Sequence, residues 1–158
     1  MMEWAIKQYE LVMEAREVIF DFCESMSPHD YTNQVDHFGQ GNIRKTQAHI
    51  VDAYIHWIAN FALNKSIPYL KEEQIPNVDD MRSKYANVNS WMAEFLEMYT
   101  ADPNSPITNT PGRQGQITTT PIILFTHMIT HEFHHKGQMV SMARILGYPP
   151  PDTDIIRL

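Results

Sequence analysis

Several features that would mark a specialised protein are scarce in this sequence. There is one cysteine, Cys23, so a disulfide within the chain is excluded. Twelve Lys and Arg stand against nineteen Asp and Glu, giving a net charge of −7. The basic residues are scattered, and without a basic stripe to neutralise phosphates we expect no nucleic-acid binding. No apolar run approaches about eighteen residues, and the N-terminus lacks a signal-peptide pattern, so we expect no membrane span and a cytoplasmic location.

What the sequence does contain is enough apolar material for one core. The hydrophobic fraction is 43% and the aromatic fraction 11%, which is a globular and not a disordered composition. A chain of 158 residues is long enough to bury such a core without disulfides. We therefore expect a single domain over residues 1–158.

Four segments have the three-and-four spacing of amphipathic helices, and no segment of any length alternates as a strand does. The predicted helices cover roughly residues 4–23, 43–64, 81–99 and 121–146. Four apolar stripes close one core most simply as an all-α four-helix bundle.

Residues that favour helix ends support these boundaries. Asn42 is the expected N-cap of the second helix, and Asp79 or Asp80 that of the third. Thr120 is the expected N-cap of the fourth helix, which ends before Gly147. Residues 25–41 read as a long connection. Residues 101–120 read as a loop with room for a short extended piece, and as a candidate lid.

Histidines are concentrated on the predicted fourth helix. His127, His131, His134 and His135 fall within nine residues, and a turn of about 100° per residue places His131 and His135 on the core face. Imidazoles four residues apart on a helix have Cβ atoms about 5–6 Å apart, so both can reach one metal ion. A single buried His is usually just hydrogen-bonded, but burying two neighbours without a shared partner is costly. The pair therefore favours a metal site.

A third ligand has to come from another helix, because one helix offers two such side chains at one level. His49 and His56 of the second helix are the candidates, and helical geometry alone does not choose between them. Imidazole ligands without a thiolate suit zinc or nickel.

The sequence around these histidines resembles the DinB/YfiT-like family. Residues 43–50 read IRKTQAHI, and residues 131–138 read HEFHHKGQ, close to the family's HE-x-H-H-(R/K)-G-Q signature. Lys136 stands where Arg is usual. The resemblance spans nearly the whole chain and implies a four-helix bundle with a metal site formed by His49, His131 and His135.

The resemblance also implies a chemistry. Family members with assigned activities are similar to metal-dependent transferases or isomerases that use bacillithiol, mycothiol or glutathione. It therefore implies a thiol S-transferase acting on small-molecule electrophiles, with a low-molecular-weight thiol as cosubstrate.

Two other functions are compatible with the motif. Residues 131–135 also read HExxH, the zinc metallohydrolase motif, in which Glu132 would be the general base. Against this, no His or Glu follows His135 to supply the third ligand of such enzymes. The other alternative is a non-catalytic metal-binding or metal-sensing bundle. Asp52 and Glu132 are candidates for orienting the ligand imidazoles.

The fourth helix carries a second apolar stripe, opposite its histidine face. A helix that is apolar on two faces is usually buried on both, so the stripe predicts a homodimer. Its members are Ile122, Phe125, Ile129, Phe133 and Val140.

Overall fold

Four long helices make up most of the molecule. The structure is a computed structural model and describes residues 2–99, 101–112 and 115–157. The elements in chain order are α1 (Met2–Ser25), α2 (Pro28–Thr32), α3 (Ile43–Tyr54), α4 (Val78–Tyr99), β1 (Ile107–Asn109), β2 (Ile117–Thr119) and α5 (Pro121–Ile145). Helices α1 and α3 each pack against both α4 and α5. The predicted all-α four-helix bundle is therefore confirmed, with one small hairpin added.

The helix ends follow from local hydrogen bonding. Asn42 Oδ1 accepts a hydrogen bond from the N–H of Lys45 at 2.8 Å, so the predicted cap of α3 is confirmed. Gly147 adopts a φ of +90° just after α5, a conformation that glycine adopts without strain. The predicted cap of α4 was wrong. The side chain of Asn77 accepts a hydrogen bond from the N–H of Asp80 at 2.9 Å. Helix α4 begins at Val78, three residues before Met81, where the apolar spacing had placed its start.

The chain continues as a helix of different winding after α3 ends at Tyr54. From Ile55 to Ala62 the chain continues as a π-helix, and the N–H of Leu63 bonds to the carbonyl of Ile58, five residues back. The side chain of Asn60 then holds both the N–H and the carbonyl of Ile67, at 2.6 and 2.8 Å. These two hydrogen bonds fix the turn that follows the π-helical segment.

Both predicted connections contain short elements. The segment 25–41 includes α2, whose N-terminus is capped by Ser27. Within the segment 101–120, β1 and β2 pair antiparallel, with Ile107 opposite Thr119. A short extended piece had been allowed for there, whereas α2 had not been predicted because a single helical turn shows no apolar period.

The second apolar stripe of α5 is partly covered by the chain itself. Phe125 and Val140 are buried, Ile129 and Phe133 are half-buried, and Ile122 remains 49% exposed. The stripe is therefore less open than the sequence suggested. Among the helices in the described part of the chain, none is long and apolar enough to cross a membrane.

Candidate metal centre

Three histidines from two helices meet at one point on the bundle. His49 lies on α3, and His131 and His135 lie one turn apart on α5. Each offers a ring nitrogen, and these three nitrogens lie within 4.8 Å of one another. The Nε2 atoms of His131 and His135 are 3.2 Å apart. Two nitrogens bound tetrahedrally to one zinc ion at about 2.05 Å would be about 3.3 Å apart, so the pair on α5 already has chelating geometry.

The packing of α3 against α5 explains why His49 joins the pair. The two helices run in opposite directions, since Trp57 lies beside His127 whereas His49 lies beside His135. His56, two turns after His49, is carried past the pair, and its Nδ1 is hydrogen-bonded to the hydroxyl of Tyr69 at 2.6 Å. The level at which α3 packs along α5 therefore brings His49, and not His56, to the pair.

His131 has unsatisfied hydrogen-bonding capacity. Its Nδ1 is buried and has no hydrogen-bond partner among the described residues. Burial lowers the pKa of His131 to about 4, helped by the neighbouring imidazoles of His135 and His49. The ring is therefore neutral at neutral pH, with a nitrogen lone pair available to a metal ion. Three imidazole nitrogen donors fit a divalent ion such as zinc or nickel.

His135 is held by a residue that sequence reasoning did not single out. Its Nδ1 lies 2.8 Å from Oε1 of Gln138. With Nδ1–H donating to this oxygen, the lone pair of His135 sits on Nε2, which faces the other histidines. The amide nitrogen of Gln138 lies 3.2 Å from Nε2 of His134. The spacing of three residues on one helix was the available signal for this contact.

The cluster has an accessible side. His135 is buried, but His49 and His131 are only half-buried. An aromatic rim continues from this side: the ring of His127 lies 5.5 Å from that of His131, and Trp57 lies 5.9 Å from His127. Part of His49 and part of His131 therefore remain in contact with solvent beside this rim.

Glu132 points away from this cluster and is fully engaged in the core. It is 5% exposed, and Arg16 reaches both of its oxygens, with Nε 2.6 Å from Oε1 and an η-nitrogen 2.9 Å from Oε2. The hydroxyl of Tyr54 donates to the same Oε2 at 2.7 Å. A general base needs a free oxygen beside the reacting water, so this geometry disfavours the metallohydrolase interpretation.

Asp52, the other candidate for orienting an imidazole, is used differently. Its Oδ1 accepts a hydrogen bond from the N–H of Leu70 at 2.8 Å, which fastens the loop after the π-helical segment. Burial raises the pKa of Asp52, partly offset by this bond and by His49. Asp52 therefore holds the loop that contains Leu70.

Comparisons with known proteins agree with the family resemblance seen in the sequence. The family model described as the DinB family matches residues 1–158. A curated relative from Bacillus subtilis (strain 168), described as uncharacterized protein YizA, is 24% identical over 152 residues, covering 96% of this chain and 93% of its own length. Its description states no activity, so the comparison supports the family and leaves the reaction open.

Proposed function

The chain belongs to the DinB family, and on this premise we propose that it binds a divalent metal ion through His49, His131 and His135 and uses it as a thiol S-transferase. The observation that carries the proposal is the convergence of three ring nitrogens within 4.8 Å on the accessible side of two helices. Zinc or nickel is the proposed ion, because all three donors are imidazole nitrogens and none is a thiolate or carboxylate.

The three histidines leave room for a further ligand. Protein ligands number three in catalytic zinc sites, where the remaining position takes water or substrate. When bound, the ion would supply Lewis acidity that lowers the pKa of a coordinated thiol. Gln138 holds His135 in the tautomer that offers Nε2, and the half-buried faces of His49 and His131 admit the cosubstrate.

The thiol has to come from a cosubstrate. Cys23 is buried, and burial raises the pKa of its thiol to about 12, so it stays protonated and out of reach. In the proposed reaction a low-molecular-weight thiol R–SH attacks an electrophile R′–X. A sulfur–carbon bond forms, the carbon–X bond breaks, and the thiol proton leaves with X as HX.

Metal content and turnover test the two parts of the proposal separately. Elemental analysis should find near one equivalent of zinc or nickel in the wild type and none in His49→Ala or His135→Ala. His29→Ala is the matched control, since that imidazole is on the surface. Wild type without metal after reloading would refute the metal site.

Turnover is then measured with bacillithiol, mycothiol or glutathione and small electrophiles. Thiol-dependent conversion that disappears in His135→Ala is expected. Stoichiometric metal with no turnover of any thiol would point instead to a non-catalytic metal-binding or sensing protein.

We also propose that the protein forms a homodimer. Trp4 is 84% exposed and Ile122 49% exposed, and they border a cavity of about 250 Å³ between α1, α4 and α5. A protruding indole beside an apolar cavity can be self-complementary across a twofold axis, each copy filling the other's cavity.

Sedimentation at micromolar concentration should give the mass of a dimer for the wild type and the mass of a monomer for Trp4→Glu. A monomeric wild type would refute this.

A further inference from the structure

A buried polar network joins the four long helices next to the candidate metal centre. Its central ion pair is Arg16 of α1 with Glu132 of α5. Helix α3 contributes the hydroxyl of Tyr54 to Glu132, and α4 contributes Oδ1 of Asn89 to Arg16 at 2.6 Å. The ring of Tyr85, also on α4, lies under the guanidinium at 4.6 Å.

The central members of the network are buried and its two charges are matched. Arg16 is 6% exposed, Glu132 5% and Tyr54 0%. Buried charges are tolerated only when paired and hydrogen-bonded, and their partners are then fixed in direction. Each helix that contributes to this pair is therefore held at one rotation and one height.

Two members of the network adjoin the metal ligands in the chain. Glu132 follows His131 directly, and Tyr54 lies five residues after His49 on α3. Successive helical residues differ in direction by about 100°, so locking Glu132 toward the core sets His131 toward α3. The bond from Tyr54 to Glu132 directly joins the helix of His49 to the helix of the other two ligands.

A three-histidine site requires this precision. Metal–nitrogen bonds are about 2.0–2.1 Å long, and a displacement of about 0.5 Å between supporting elements is enough to degrade such a site. The pair on α5 is set by one helix, but the distance from His49 depends on how α3 sits against α5.

We propose that Tyr54, through Glu132 and Arg16, is a positioning residue that sets the height of α3 against α5 and so brings His49 to the metal. This inference rests on the proposed metal site. In this proposal Glu132 of the HExxH sequence links the helices that carry the metal ligands, and it takes no part in proton transfer.

Tyr54→Phe tests the proposal, since it removes one hydroxyl and keeps the buried ring. We expect zinc affinity, measured by competition with a chromophoric chelator, to fall about tenfold, the lower end of the loss seen on removing outer partners of metal ligands. The visible absorption of the cobalt-loaded protein should weaken or shift, because it reports ligand geometry.

Tyr85→Phe is the matched control. Tyr85 is also buried, and its hydroxyl donates to the carbonyl of Gln47 on α3 at 3.2 Å, without touching Glu132. A general loosening of α3 would affect both variants, whereas the proposal predicts zinc affinity within about twofold of wild type for Tyr85→Phe.

The outcomes separate this inference from the proposed function. Equal zinc affinity and an unchanged cobalt spectrum in Tyr54→Phe would overturn the inference while the metal site stands. Equal losses in both variants would also overturn it. A wild type that binds neither zinc nor nickel would overturn the proposed function and this inference with it.

Discussion

Helix α5 carries two polar clusters side by side, and they differ in how completely their hydrogen bonds are made. Around Glu132, both carboxylate oxygens have partners at 2.6–2.9 Å in the core. Around His131, a buried Nδ1 has no partner in the described part of the chain, and Nε2 faces another imidazole nitrogen. A cluster whose hydrogen bonds are complete stabilises the fold, whereas ring nitrogens that face one another are suited to a shared ligand.

The largest expected effect comes from removing one charge of the buried cluster around Glu132. Glu132→Gln leaves the buried guanidinium of Arg16 without a counter-ion, and losing one partner of a buried pair costs about 3–5 kcal/mol of unfolding free energy. Burial works against the charge of Arg16, and the variant removes the attraction of Glu132 that holds the pKa of Arg16 well above its usual value. Because a guanidinium is not deprotonated in proteins, Arg16 is left charged, buried and without a counter-ion. Urea unfolding measures the loss.

Glu24→Gln controls for loss of a carboxylate as such. Glu24 pairs with Arg82 on the surface at 2.7 Å, where a salt bridge contributes at most about 1 kcal/mol. If both variants lose the same stability, the distinction between the two clusters is wrong.

The second-largest expected effect comes from adding zinc to the histidine cluster. Zinc at about 100 times its dissociation constant should stabilise the wild type by about 2.7 kcal/mol, since only the folded chain presents all three ligands. Calorimetry should show the corresponding rise in melting temperature, and no rise for His135→Ala. The same rise in His135→Ala would place the zinc elsewhere.

A smaller effect probes the hydrogen bond that orients His135. Gln138→Ala should weaken zinc binding about 10–100-fold, or about 1.4–2.7 kcal/mol, by freeing the ring. Gln138→Glu keeps an oxygen for Nδ1–H and should retain the affinity. His134→Ala removes the other contact of Gln138 and serves as control. Equal affinity in Gln138→Ala would show that packing alone holds the ring.

The smallest effect concerns pH and the metal-free protein. The pKa of His131 is lowered to about 4 by burial, while the unfolded residue titrates near 6.5. As pH falls from 6.5 to about 4, the unfolded chain takes up a proton that the folded chain does not, so stability is lost over this range. Because the ring is half-buried, the loss is on the order of 1 kcal/mol. Stability curves of His131→Asn should fall less steeply; parallel curves would contradict this.

The fold was largely predictable because its signals are local. The end of α5 at Gly147 and the cap of α3 at Asn42 depend on residues within one turn, and both were found from sequence. The family resemblance was confirmed over the whole chain. The π-helical winding of Ile55–Ala62 and the single turn of α2 were missed, since neither leaves a distinct apolar period.

The candidate site was predictable only in part. Spacing on one helix identified His131 and His135, but the choice of His49 over His56 depended on the resemblance and reflects the level at which α3 packs along α5. The sequence likewise did not identify Arg16 as the partner of Glu132. Pairing across the bundle depends on how helices are placed, which spacing along one helix does not encode.

The division of the three histidines between distant helices has a kinetic consequence. An unfolded chain offers His131 and His135 together by local helix formation, but His49 arrives only after α3 has packed against α5, which requires closing a long loop. Coordination of a metal ion by all three histidines would therefore form late in folding. Interactions made after the transition state slow unfolding and leave the folding rate nearly unchanged. In a chevron plot, zinc should lower the unfolding arm alone.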